Sequence, residues 1–195
     1  MPEDAARAAF YYDLFSPECY LAAERMLALL PGVEWIPVSA PGLPGADTLV
    51  GFRCETDREA FFDRIERVAA ARELQPIRWP DPFPSDTAFA MCAATYARQI
   101  GRAVPFSLAA FRQAFAGGRD LGVADNVLIA AAACEMHPRA VTKGAALDSV
   151  TRALDAATAL AARRGVRDVP AVWLPDGRVF HGDDALDGAV SARMA

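Results

Sequence analysis

The amino-acid sequence predicts an α/β domain split by an inserted all-helical block. Three observations carry this reading. The first 38 residues read strand, helix, strand; the stretch from about 56 to 140 is nearly all helix; and the last third reads helix, strand, strand, helix. A strand–helix–strand unit favours a parallel crossover, and a helix–hairpin–helix unit can complete one mixed sheet with helices on both faces. The pattern supports an α/β domain with a helical block inserted midway and does not by itself fix the strand order. The expected boundaries are residues 1–50 and 141–195 for the α/β domain and 51–140 for the helical insertion.

Each element has a local reason. Residues 8–14, AAFYYDL, form an aromatic, apolar run of the kind found in a buried strand. Ser16 then reads as an N-cap, with Pro17 at the first helical position and Glu18 in the first turn. That helix runs to about Leu30, where Pro31-Gly32 stops it, and its apolar face holds Cys19, Ala22, Ala23, Met26 and Leu30. VEWIPV at 33–38 is a second strand, and residues 39–54, rich in Pro and Gly, are loop. Thr56 and Glu59 suggest a capping box ahead of EAFFDRIERVAAAREL. QPIRWPDPFP carries four prolines in ten residues and excludes a regular helix. Helices are then expected at about 85–100, 105–116 and 124–136, with Gly101 and Gly117-Gly118 as stops for the first two. A long helix is expected from Ala145 to Arg164, ended by Gly165. VPAVWL, Pro175-Asp176-Gly177 and RVF spell a hairpin, and DDALDGAVSARM closes the chain as a short helix.

Bulk properties narrow the function classes. The chain has 195 residues, a formal net charge of -5 and a hydrophobic fraction of 53%, enough for a sizeable core without a disulfide framework. No basic cluster appears, so nucleic acid and anionic membrane surfaces are not expected partners. No apolar run approaches the ~20 residues of a membrane span. MPEDAARAAF lacks the basic end and long apolar core of a signal peptide. Cys19, Cys54, Cys92 and Cys134 match no zinc spacing; no metal site is expected, and they read as reduced thiols of a cytoplasmic protein. The expected partner is a small-molecule substrate, with a homodimer left open.

Four stretches, in this order and spacing, carry a family resemblance: YYDLFSPECYLA, PFP at 82–84, FRQAFAGGRDLGVADNVL at 111–128 and GVRDVPAVWLPDGRVFHGDDAL at 165–186. They resemble the DsbA-like branch of the thioredoxin superfamily and, within it, the kappa-class glutathione transferases and 2-hydroxychromene-2-carboxylate isomerases. In that group Ser-Pro stands where a dithiol enzyme has Cys-Pro, as Ser16-Pro17 does here. The resemblance implies a thioredoxin fold with a helical insertion and a bound cofactor thiol, glutathione or another low-molecular-weight thiol. It also implies a cis Val169–Pro170 peptide facing the first helix, and a corner at Asp184 that holds the γ-glutamyl end of glutathione. Two departures bear on the ligand. Ala185 stands where the group usually has Arg, which removes a charge-assisted carboxylate contact of about 1.5–3 kcal/mol. The loop of residues 39–54 lacks the lysine that often helps anchor glutathione.

The candidate residues each have a chemical and a structural reading. Ser16 is a good N-cap in its own right. An alcohol is too weak an acid to act as a thiolate-like nucleophile, but its hydroxyl can donate to the sulfur of a bound thiol, whose anion the helix N-terminus also favours. Cys19 is either a lone redox thiol or a small core residue on the apolar helix face. Pro170 is either a cis residue that frees the backbone of Val169 for a ligand or an ordinary strand-start proline. Asp184 either accepts from a ligand amine or sits in the first turn of the last helix. Tyr11, Tyr12 and Phe15 either line an aromatic pocket or fill the core, core being the expectation for at least two of them. His137 and His181 lack a paired carboxylate or a second ligand in the sequence. The expected activity is thiol-dependent isomerase or transferase chemistry on a small, aromatic electrophile. The alternatives are a DsbA-like oxidoreductase working through Cys19 alone, and a non-catalytic family member that binds a ligand.

Overall fold

The computed structural model describes residues 7–45, 52, 54–182 and 186–194. Strands β1 (Ala9–Tyr12), β2 (Glu34–Pro37), β3 (Ala171–Trp173) and β4 (Val179–His181) form one mixed sheet in the order β2-β1-β3-β4. Helix α1 (Pro17–Leu29) is the crossover that makes β1 and β2 parallel, with Phe10 opposite Trp35. β3 pairs antiparallel with β1, Phe10 opposite Val172, and β4 pairs antiparallel with β3. All four residues of β1 are buried, which is why this central strand reads as a continuous apolar run. The hairpin closes through Leu174 and Arg178, with Gly177 at φ +92° supplying the left-handed residue of the turn.

The helices are α2 (Glu55–Ala71), α3 (Ala88–Gln99), α4 (Ala103–Phe115), α5 (Ala124–Ala133), α6 (Pro138–Ala145), α7 (Asp148–Arg163) and α8 (Leu186–Met194). Two local expectations are corrected. The Thr56–Glu59 capping box does not form, because the helix begins at Glu55 behind Cys54, whose side chain makes no cap bond. The long helix expected from Ala145 starts only at Asp148; the chain before it folds as α6, opened by Pro138 and by His137 Nδ1 accepting the Arg139 N–H. None of the helices among the described residues is long and apolar enough to cross a membrane.

One apolar core joins the sheet to the helical block. Phe10, Tyr12 and Trp35 pack edge and face at centroid separations of 5.0–5.8 Å, and Phe111 of α4 joins them through Tyr12. α3 packs on β2, α6 and α7. The α3–α6 contact is set by Gly144, where an added Cβ would lie 2.5 Å from the Tyr96 ring.

Asp13, immediately after β1, is a carboxylate in the interior with 2% of its surface exposed. Its Oδ2 accepts the Ala40 N–H at 3.0 Å, and Oδ1 accepts the Thr87 hydroxyl at 3.1 Å and the Phe15 N–H at 3.3 Å. Ala40 opens the 3-10 turn Ala40–Gly42 after β2, and Thr87 caps the approach to α3. The carboxylate therefore ties three segments together at one end of the sheet. Burial pushes its pKa up to about 6, against the pull of these donors.

Two outcomes follow from this packing. Gly144→Ala should destabilise the protein by about 1–3 kcal/mol through overpacking against Tyr96, read by urea denaturation. Asp13 titrates higher in the folded than in the unfolded chain, so the folded state binds the extra proton between about pH 4 and about pH 6. Its contribution to stability is fullest below that window and falls as pH rises through it, by on the order of 3 kcal/mol at most. Urea titrations across that window should show the slope in the wild type and a shallower one in Asp13→Asn.

Candidate active site

Ser16 is the N-cap of α1, at φ -86° and ψ 118°. Its Oγ accepts the Cys19 N–H at 3.1 Å and donates to Glu18 Oε2 at 3.4 Å, while its own N–H donates to the Asp13 carbonyl at 3.3 Å. The hydroxyl is thus fixed at the positive end of a helix dipole, in a turn anchored on Asp13. Pro17 at the first helical position costs no hydrogen bond there and presets the helical φ.

Above Ser16 lies a small cleft of about 80 Å³, lined by Phe15, Ser16, Pro17, Glu18, Phe52, Phe61, Phe83 and Pro84. Its aromatic walls belong to one cluster. Phe52 packs 5.4 Å from Phe61, Phe61 stacks 6.3 Å from Phe83, and Phe62 stacks on Trp79 at 3.8 Å. Phe61 and Phe62 come from α2, Phe83 and Trp79 from the proline-rich segment, so the helical block supplies most of the roof. Of the three aromatic candidates, Tyr11 and Tyr12 are core residues, and half-buried Phe15 lines the cleft.

The charges at the mouth form a short relay. Arg64 of α2 donates to Glu18 Oε1 at 2.6 Å, and Glu18 Oε2 faces the Ser16 hydroxyl. Arg64 also lies over the Phe61 ring, 5.2 Å from its centroid. This guanidinium offsets the negative charge that Glu18 brings beside Ser16.

Cys19 has none of its surface exposed. Burial pushes its thiol well above the usual range, with the Ser16 hydrogen bond pulling the other way. Reactive cysteines have the opposite environment, accessible and electropositive.

Pro170 follows a cis peptide bond and immediately precedes β3. Tyr11 pairs with Ala171, so Val169 and Pro170 reach the end of β1 from which the Ser16 turn departs. The Val169 N–H, expected to be free for a ligand, is instead taken by the Asp168 carboxylate at 2.6 Å. Burial raises the pKa of Asp168, its bond from Val169 lowers it, and the Glu18 charge raises it again. His181 Nε2 accepts the Arg167 N–H at 3.0 Å; burial lowers its pKa and Asp168 raises it. A carboxylate that the sequence separates from His181 is therefore its electrostatic neighbour in the fold. The Gly182 N–H donates to the Pro170 carbonyl at 2.8 Å, so the chain leaves toward 183–185 from beside this proline. Asp184 and Ala185 lie outside the described residues.

Sequence reasoning missed Asp13, Glu18's role, Arg64, Phe61 and Asp168, whereas Phe83 belongs to the PFP motif already legible in the sequence. Of those missed, two carried a signal: Asp13, a lone acid closing an aromatic strand, and Phe61, one of two adjacent aromatics on α2.

Similarity to known proteins agrees with the fold. No curated protein sequence matches the chain. Among solved structures, a 2-hydroxychromene-2-carboxylate isomerase superposes with a TM-score of 0.84 at 20% identity, over 96% of this chain and 94% of that one. The probable DsbA oxidoreductase of Streptomyces coelicolor gives 0.74 at 22% identity, over 95% and 87%. The cytosolic disulfide reductase DsbM of Pseudomonas aeruginosa, solved with GSH, gives 0.63 at 16% identity, over 97% and 99%. At these identities the likeness is one of fold. The sequence itself matches the DSBA-like thioredoxin domain along residues 8–192, nearly its whole length, and the chain belongs to that family.

Proposed function

We propose that this protein catalyses thiol-dependent isomerase or transferase chemistry on a small aromatic electrophile, with glutathione or another low-molecular-weight thiol as the bound cofactor. One observation carries the reading: a hydroxyl, not a thiol, stands at the N-terminus of α1 on the floor of an aromatic-walled cleft, while Cys19 beside it is sealed in the core. The fold likeness to a 2-hydroxychromene-2-carboxylate isomerase, and to a reductase solved with GSH, supports it. A reducing cytoplasm suits the free cysteines Cys19, Cys54, Cys92 and Cys134.

In this mechanism the ligand's sulfur is the nucleophile. A cofactor thiol held at the start of α1 would release its proton to water, and the Ser16 O–H, now donating to Glu18, would turn to donate to the sulfur. Bound there, such a thiol would supply a nucleophile able to add reversibly to an electrophilic carbon, the chemistry that isomerisation and transfer share. Phe52, Phe61 and Phe83 offer flat apolar walls for an aromatic substrate. The oxidoreductase alternative through Cys19 is disfavoured by the burial of that thiol.

Ser16→Ala should lose about 0.5–2 kcal/mol of stability as a missing cap. It should also raise the pKa of a bound thiol, followed by ultraviolet absorption of the thiolate. Glu18→Gln should shift that pKa the other way, since it removes a negative charge and leaves a weaker competing acceptor. A stability loss in Ser16→Ala with unchanged thiol binding and ionisation would leave Ser16 only the role of a cap. In an insulin-reduction assay with dithiothreitol the protein should give no acceleration over buffer. Turnover that vanishes in Cys19→Ser would instead establish the oxidoreductase.

A further inference from the structure

A second cavity, of about 420 Å³, shares Phe15 and Pro84 with the Ser16 cleft but is otherwise built from different residues. Its size falls within the range of small-molecule sites. Phe15, Pro41, Pro84, Met91 and Leu154 give it apolar walls. Three carboxylates line it: Asp13, Asp86 and Asp155. No Lys, Arg or His does so among the described residues.

The acids play different parts. Asp13 is internal and already holds three segments of chain. Above about pH 6 it carries a charge that those donors solvate only in part. Asp86 holds the Ala88 N–H at 3.0 Å. Asp155, exposed on α7, makes no hydrogen bond or ion pair among the described residues. No group of three His, Cys, Asp or Glu among those residues comes close enough to hold a metal ion. The charge complement of this cavity is therefore a cation with an apolar body large enough to fill the space between separated carboxylates. Asp86 and Asp155 are exposed and Asp13 is internal, and carboxylates so placed repel anions and favour such a cation.

We propose that this cavity is a binding site for small organic amines, an aromatic or branched apolar body carrying one ammonium group, placed with the ammonium toward Asp155 and Asp86 and the body against Met91, Leu154 and Phe15. The site is independent of the thiol chemistry at Ser16.

Cys92 provides a local readout, since it is half-buried and lines this cavity. Benzylamine is the probe, benzyl alcohol its neutral isostere, and the measurement is the rate of alkylation of Cys92 by iodoacetamide, mapped by peptide mass spectrometry. Cys54, exposed and absent from the cavity lining, is the internal reference. Benzylamine should slow alkylation at Cys92 several-fold and leave Cys54 unchanged, with benzyl alcohol at least about tenfold weaker. Asp155→Asn should raise the benzylamine concentration needed by about tenfold, and Ala88→Phe, which fills the mouth from an exposed helical position, should abolish protection. Calorimetric titration of the same proteins gives the comparison without relying on the thiol. Equal binding of benzyl alcohol, binding unaffected by Ala88→Phe, or no binding at tens of millimolar by either method would each overturn the proposal.

Discussion

Asp13 sits at the end of the central strand with its carboxylate withdrawn from water, and the geometry of the site follows from how that charge is satisfied. A buried anion costs several kcal/mol unless donors converge on it. Here they come from the turn into α1, from the segment after β2 and from the residue before α3. The carboxylate fixes where the Ser16 turn stands relative to Pro41 on one side and to Pro84 on the other, and both cavities take their shape from that relation.

On this anchor the chain builds a helix cap whose one oxygen meets both an amide and a carboxylate. Ser16 Oγ satisfies an amide of the first turn and stays hydrogen-bonded to Glu18, so its position is fixed before any ligand arrives. The neighbouring thiol has been absorbed into the core, where Cys19 packs among Ala22, Ala23 and Met26. The result is a thioredoxin-family helix start whose polarity and dipole are retained and whose own sulfur is withdrawn.

How much of this could be read from the sequence depends on how local each feature is. β1, α1 and the β3–β4 hairpin were legible because each carries its own signal: an aromatic run, Ser-Pro-Glu before an apolar face, and Pro-Asp-Gly between two short strands. α6 was not, because it holds a Pro and a Gly within eight residues, and its Gly is there for close approach to Tyr96 rather than as a stop. The capping box at Thr56 was a plausible local pattern that the chain does not use, as weak local preferences often yield to tertiary packing. At the site, Ser16 and Pro170 were visible in short motifs. Arg64 and Asp168 were not, because their relevance arises only when α2 and the β3 entry meet the start of α1. The hydrogen bond that occupies the Val169 N–H was equally invisible, since it depends on one rotamer of the residue before it.

The pairing of Glu18 with Arg64 has a consequence for the way the site fails. The carboxylate belongs to α1, rooted in the sheet core, whereas the guanidinium belongs to α2, which buries only Ile65 and Ala69 among the described residues. A helix with so few buried side chains opens locally at lower free energy than the sheet beneath it. When α2 lifts away it carries off Phe61 and Arg64 together, leaving Glu18 unpaired beside Ser16. The turn that favoured an anion then repels one, while the fold as a whole is still intact. A helix held by few buried side chains thereby sets the charge beside Ser16, a residue seated in the core.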